Sequence, residues 1–166
     1  FLLYIFQRRI VFNKSGHPGA PKDYNLDNTE EVYIKTEDNL KLLSWYHKGN
    51  NSLPLIVYFH GNSFHIGDRA YRIQKYIEKN WSVLLVSWRG FGGNKGNPTE
   101  KNLYKDAEAV LKWIKNNTEF KFKELVIYGE SLGSGPAVEM GTKYEFLCFV
   151  LEAPFTSIND IAKKRY

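Results

Sequence analysis

Residues 124–140 read ELVIYGESLGSGPAVEM. The stretch opens on the apolar run Leu125-Val126-Ile127-Tyr128, suited to a buried strand. It closes on Pro136-Ala137-Val138-Glu139-Met140, which can carry a helix. Between them lies Gly129-Glu130-Ser131-Leu132-Gly133, a G-x-S-x-G sequence set in strand, tight turn and helix. A strained backbone at Ser131 would lift its hydroxyl above the sheet edge. Gly129 and Gly133 would leave room where a Cβ meets the neighbouring strand or helix. Leu132 follows with a backbone N–H at a helix N-terminus, where negative charge is stabilised. The pattern therefore predicts a nucleophile elbow, with Ser131 as nucleophile, Leu132 as an oxyanion donor, and Gly129 and Gly133 as the elbow glycines. An isolated G-x-S-x-G is also an ordinary Gly-rich turn. The strand before it and the helix after it favour the elbow.

Working outward, 54–59 (PLIVYF) and 83–88 (VLLVSW) are continuous apolar runs of the kind found in strands covered on both faces. Ala70, Ile73, Tyr76 and Ile77 give helical spacing over 69–79. Leu103, Ala107, Val110, Leu111 and Ile114 make the buried stripe of a second helix, with Thr99 as its N-cap. Residues 32–36 and 40–46, joined by Glu37-Asp38-Asn39, read as a hairpin. A further apolar run follows at 146–151, and 158–166 begins a last helix. Strands alternating with helices predict an α/β fold: a mostly parallel sheet with helices on both faces and an N-terminal antiparallel hairpin.

Two loops should meet Ser131, because sites in open α/β sheets gather at the carboxyl ends of strands. The first is His60-Gly61-Asn62-Ser63, placed as a second oxyanion-hole loop. The N–H of Asn62, with Ser63 as second choice, would pair with that of Leu132. Such a donor contributes about 3–4 kcal/mol in a transition state. The plain alternative is a strand-ending turn. His60, fixed beside the turn glycine, is expected to support the loop by hydrogen bonding rather than act as a base. The second loop, Arg89-Gly90-Phe91-Gly92, matches neither G-x-G-x-x-G nor a Walker loop, so it reads as a structural crossover turn at the pocket wall. Asp106, on the polar side of its helix, reads as a cap or salt-bridge residue.

With 43% hydrophobic and 16% aromatic residues in 166, one core is expected. The net charge of +5 comes from lysines spread along the chain, with local clusters at Arg8-Arg9 and Lys163-Lys164-Arg165. No basic stripe forms, which argues against nucleic acid as a partner. The single cysteine, Cys148, lies in an apolar run and reads as a small core residue. No Cys/His spacing suits a metal. The chain starts at Phe1 rather than Met and stops at Tyr166, so both ends are expected to be cut. Its first six residues, FLLYIF, precede Gln7-Arg8-Arg9. They fall short of the ~20 residues of a membrane span. Two readings stay open: the last turns of a span with arginines at the interface, or an amphipathic N-terminal segment. Residues 1–28 are read as this segment plus a breaker-rich connector, and 29–166 as a partial catalytic-type domain.

FHGN at 59–62, SWRGFGGNKGNP at 87–98, GESLGSGPAVEM at 129–140 and LEAPFTSINDIA at 151–162 carry a resemblance. The chain resembles the α/β-hydrolase superfamily, and within it the membrane-anchored serine hydrolase branch that includes protein depalmitoylases. The resemblance covers roughly residues 31–166. It implies hydrolysis of carboxylic esters or thioesters through an acyl-enzyme on Ser131, with no cofactor and a small-molecule or lipid-like acyl substrate. It also implies a single N-terminal membrane anchor, which favours the truncated-span reading of residues 1–6; without that anchor the chain would be cytoplasmic. Phe64, Phe91 and Phe155 are candidates to wall an acyl site.

The departure concerns the triad. In this superfamily the acid and then the histidine follow the serine, yet no histidine follows Ser131. Of the later acids Glu139, Glu145, Glu152 and Asp160, none is well placed, and Glu152 and Asp160 are expected in structural hydrogen bonds. His17, His47 and His65 precede the elbow. The triad acid and histidine are therefore expected beyond Tyr166. Loss of a triad member costs on the order of 10⁴-fold in rate, so the segment alone is expected to be inactive. Its truncated sheet should expose an apolar edge and self-associate. The rival expectation is a non-catalytic hydrolase-like binding protein; a nucleotide-binding α/β protein is a third.

Overall fold

The computed structural model describes residues 13–14 and 16–155. The expected N-terminal anchor (1–6), both terminal basic clusters, Asp160 and the helix expected at 158–166 lie outside the described residues.

Among the described residues six strands form the main sheet: β2 (Thr29–Lys35), β3 (Lys41–His47), β4 (Leu55–Phe59), β6 (Ser82–Val86), β7 (Leu125–Glu130) and β8 (Cys148–Glu152). Their spatial order is β2-β3-β6-β4-β7-β8. The expected hairpin is β2–β3, antiparallel with Ile34 opposite Leu42. β3 then runs antiparallel to β6, and the pairs β6–β4, β4–β7 and β7–β8 are parallel.

Among the described residues the α-helices are α1 (Ala70–Ile77), α2 (Glu100–Asn117) and α3 (Ser134–Gly141). Alternate strand side chains divide between two cores, as the period of two along a strand requires. Leu55, Val57 and Phe59 of β4, Leu84 and Val86 of β6, and Leu125 and Ile127 of β7 pack in one cluster with α2 and α3 residues such as Val110, Ile114 and Met140. Ile56, Tyr58, Val83, Leu85 and Val126 pack in the other with Ala70 and Ile73 of α1. The central strands β4 and β6 are covered on both faces and buried at every position, and apart from Ser82 their residues are apolar or aromatic for that reason. Thr99 caps α2 as expected, its hydroxyl accepting from Asn102 N–H at 3.2 Å.

Two features depart from expectation. The connector contains β1 (Asn13–Lys14), paired in parallel with β5 (Ser63–Phe64), immediately after Asn62. Cys148 is exposed rather than in the core. It lies on β8, which ends the sheet and carries exposed Phe149, Val150 and Leu151. An apolar run reads as buried in sequence, but among the described residues nothing pairs with the outer edge of β8.

Candidate active site

β7 ends at Glu130, and the chain turns at once through a 3-10 turn, Ser131–Gly133, into α3. Ser131 has φ +46°, a left-handed conformation uncommon for a residue with a Cβ. Both neighbours in the motif are glycine for steric reasons. A Cβ on Gly129 would stand 2.8 Å from Ser134 Cα and 2.9 Å from Gly133 O. A Cβ on Gly133 would overlap the Phe59 carbonyl at the end of β4. The turn is thus wedged between a helix start and a strand end, and Ser131 is left half-buried at the carboxyl edge of the sheet. Ser134 Oγ donates to Ser131 O at 2.6 Å, which closes the turn from the helix side.

The loop after β4 approaches the same edge. His60 is fully buried, and its Nδ1 lies 2.6 Å from Gly61 O. Burial, reinforced by the Arg69 guanidinium, pushes its pKa down to about 4, so the ring is neutral at pH 7. The His60 carbonyl accepts from Trp88 Nε1 at 2.9 Å, and its ring meets Phe91 edge-on at 5.4 Å. His60 supports the loop, as its place beside Gly61 suggested. Asn62 and Ser63 are partly buried and follow directly.

The side chain that joins elbow and loop is one that sequence reading missed. Glu130 accepts from Arg69 Nε at 3.1 Å and Nη2 at 2.9 Å and from the Tyr58 hydroxyl at 3.0 Å, and it lies against Gly61 of the loop. Burial pushes its carboxyl up, but Arg69 and Tyr58 outweigh that and hold it below the ordinary value. Arg69 also donates through Nη1 to Ser63 O at 2.6 Å. The available signal was a charged residue at the end of a buried strand, which requires a partner.

Next to it, Glu152 at the end of β8 accepts from Arg72 at 2.5 Å and from the Tyr128 hydroxyl at 2.6 Å. Glu152 is thus engaged in structural hydrogen bonding, as expected. Glu139 pairs with Lys143 and Glu145 with Lys123, both at the surface. His17 accepts from Gly19 N–H at 3.2 Å, His47 faces Thr29 at 3.2 Å, and His65 faces Asp68 at 3.3 Å. Among the described residues no side chain hydrogen-bonds to the Ser131 hydroxyl.

The glycine-rich crossover is a structural turn. Arg89, 2% exposed, donates to Asp106 at 2.6–2.8 Å through its side chain and to Asp38 at 2.7 and 3.1 Å. Asp106 is therefore a salt-bridge residue, but it is fully buried rather than on an exposed helix face. Asn94 ties the crossover to β3 by accepting from Leu43 N–H at 2.8 Å. Of the three phenylalanines expected at the acyl site, Phe91 is buried in the core, Phe155 is partly buried and Phe64 is half exposed with φ +56°. Among the described residues no group of three or more His, Cys, Asp or Glu side chains could hold a metal, and no helix is long and apolar enough to cross a membrane.

Comparison with known proteins places this geometry. The family model described as serine aminopeptidase, S33, matches residues 51–165. An esterase of Pyrococcus furiosus superposes with a TM-score of 0.72 at 27% identity, over 86% of this chain and 57% of that one. A lysophosphatidylserine lipase of Danio rerio is 29% identical over 171 residues, covering 86% of this chain and 44% of the lipase. An uncharacterised membrane protein of Saccharomyces cerevisiae is 30% identical over 167 residues, covering 96% of this chain and 58% of the yeast protein. The chain thus spans between 44% and 58% of the length of these relatives.

Proposed function

The chain belongs to the serine aminopeptidase S33 family of α/β-hydrolases, and from that premise we propose that it bears the nucleophile of a serine hydrolase acting on carboxylic esters or thioesters. The observation that carries the reading is Ser131 itself, left-handed at φ +46° between two glycines that have no room for a Cβ.

In this reading the Ser131 hydroxyl oxygen attacks the acyl carbonyl carbon and gives its proton to a histidine. The carbonyl oxygen becomes an oxyanion held by the N–H groups of Leu132 and Asn62, with Ser63 as the second choice for the latter. Collapse expels the alcohol or thiol, which takes the proton, and water then releases the acid from the acyl-enzyme. The histidine and its orienting acid belong to chain beyond Tyr166, following the order serine, acid, histidine. Without such a base a serine hydroxyl is a poor nucleophile, so Ser131 depends on that histidine. Esterase and lipase relatives support an ester over the peptide in the family description.

The N-terminal segment is assigned to membrane association. The apolar residues 1–6 and the yeast relative, which is called a membrane protein, support this.

The test is fluorophosphonate labelling of the full-length protein beside a Ser131→Ala variant, with p-nitrophenyl esters of graded acyl length and an aminoacyl p-nitroanilide as substrates. Ser131-dependent labelling and ester turnover are expected. One observation favours the second reading, a non-catalytic binding protein: no described side chain addresses the Ser131 hydroxyl. Equal labelling of wild type and variant would select it.

A further inference from the structure

The loop that carries the second oxyanion donor is held from both sides by one ion pair. Gly61, on one side of Asn62, lies directly against the Glu130 carboxylate. Ser63 O, on the other side, accepts from Arg69 Nη1 at 2.6 Å. Arg69 then returns to Glu130 through two hydrogen bonds, at 3.1 and 2.9 Å. The bracket is closed, and Glu130 is the residue immediately before Ser131. It leaves no slack: a Cβ on Gly61 would stand 2.8 Å from Glu130 Oε1. Arg69 is only 7% exposed, so solvent does not loosen the pair. Tyr58 holds the far oxygen of the carboxylate from β4, at 3.0 Å.

We propose that the Glu130–Arg69 pair is a positioning unit for catalysis, fixing the Asn62 N–H against Ser131 so that the oxyanion hole is preformed. The inference rests on the serine hydrolase reading above. Its physical basis is that an oxyanion donor acts only when it is aimed before charge develops. A displacement of about 1 Å far from the bond being broken costs on the order of 10²-fold in rate. A buried ion pair adds little net stability over an apolar replacement, so a role in geometry accounts for its presence better than a role in folding.

The test uses the full-length protein and p-nitrophenyl butyrate. Glu130→Gln, Arg69→Met and the double variant are compared with wild type and Ser131→Ala. The readouts are kcat, KM and affinity for a trifluoromethyl ketone, whose tetrahedral adduct carries the oxyanion. The expected result for Glu130→Gln is a 10- to 100-fold fall in kcat with KM within threefold. Inhibitor affinity should fall by the same factor, and the double variant should be no slower than the slower single one. Arg69→Lys keeps the charge but loses the fork, and should give an intermediate kcat; it serves as the readout if Glu130→Gln fails to fold. Unchanged kcat, a KM rise matching the kcat loss, or additive single effects would overturn the proposal while Ser131→Ala still abolishes activity. Turnover that survives in Ser131→Ala would instead remove the hydrolase reading, and this inference with it.

Discussion

Gly133 lies against the carbonyl of Phe59 with no space for a methyl group between them. The contact locks the first turn after the nucleophile onto the end of β4, backbone against backbone, so neither side can rotate away. Gly133→Ala should therefore cost about 3 kcal/mol or more, at or above the upper end of ordinary overpacking. Gly135, two residues on in α3, has nothing within 4 Å of its missing Cβ. Gly135→Ala should be neutral or stabilise by roughly 0.5–1 kcal/mol, as Ala does over Gly inside a helix. Urea unfolding followed by tryptophan fluorescence would separate the two, and equal effects would contradict the wedge.

Arg89 separates a buried partner from an exposed one. Asp106 is fully buried, whereas the Asp38 side chain is 41% exposed. Asp106→Ala strands a buried guanidinium and should cost about 3–5 kcal/mol. Asp38→Ala removes a solvated pair and should cost about 1 kcal/mol or less. The midpoint shifts in urea decide between this ranking and its reverse.

Local pattern made the elbow and the sheet legible. Apolar runs at β4, β6 and β7 announce strands covered on both faces, and G-x-S-x-G between strand and helix announces the turn. The Glu130–Arg69 pair was not legible, because its partners are separated by sixty-one residues of chain and no periodicity links them. The β1–β5 ladder escaped for a related reason: two residues are too few to show alternation. Cys148 failed differently. Apolarity in sequence says what a residue prefers, but burial also needs a covering element.

His60 sets an acid sensitivity. Its pKa falls from an ordinary 6.5 to about 4 in the fold, because burial and then Arg69 oppose the charged ring. Below pH 6.5 the unfolded chain binds a proton that the folded chain refuses, so stability falls as pH drops from 6.5 toward 4. The full effect is at most about 3 kcal/mol. Carboxylates such as Glu130, whose pKa is lowered, contribute their own loss only nearer their ordinary value of 4.5. Unfolding free energies between pH 7 and 5 should therefore slope in wild type and slope less in His60→Asn, with His47, whose pKa burial also lowers, supplying a remaining part. A slope that persists undiminished in the variant assigns the effect elsewhere.

The outer edge of β8 should make the 166-residue chain associate with itself. Leu147, just before β8, is 53% exposed, and Phe149, Val150 and Leu151 are 41%, 39% and 38% exposed along a strand whose outer hydrogen-bonding groups have no strand partner among the described residues. Such an edge is a template for another strand. Cys148, the chain's one thiol, reports on it directly because it lies exposed on the same strand. Ellman's reagent should modify it in the folded state at low protein concentration, and more slowly as concentration rises and edges become covered. Val150→Lys places a charge on the edge and should keep the thiol reactive at all concentrations, with sedimentation velocity returning a smaller species. A thiol that is unreactive in dilute, folded protein would show that the edge is covered within a single chain.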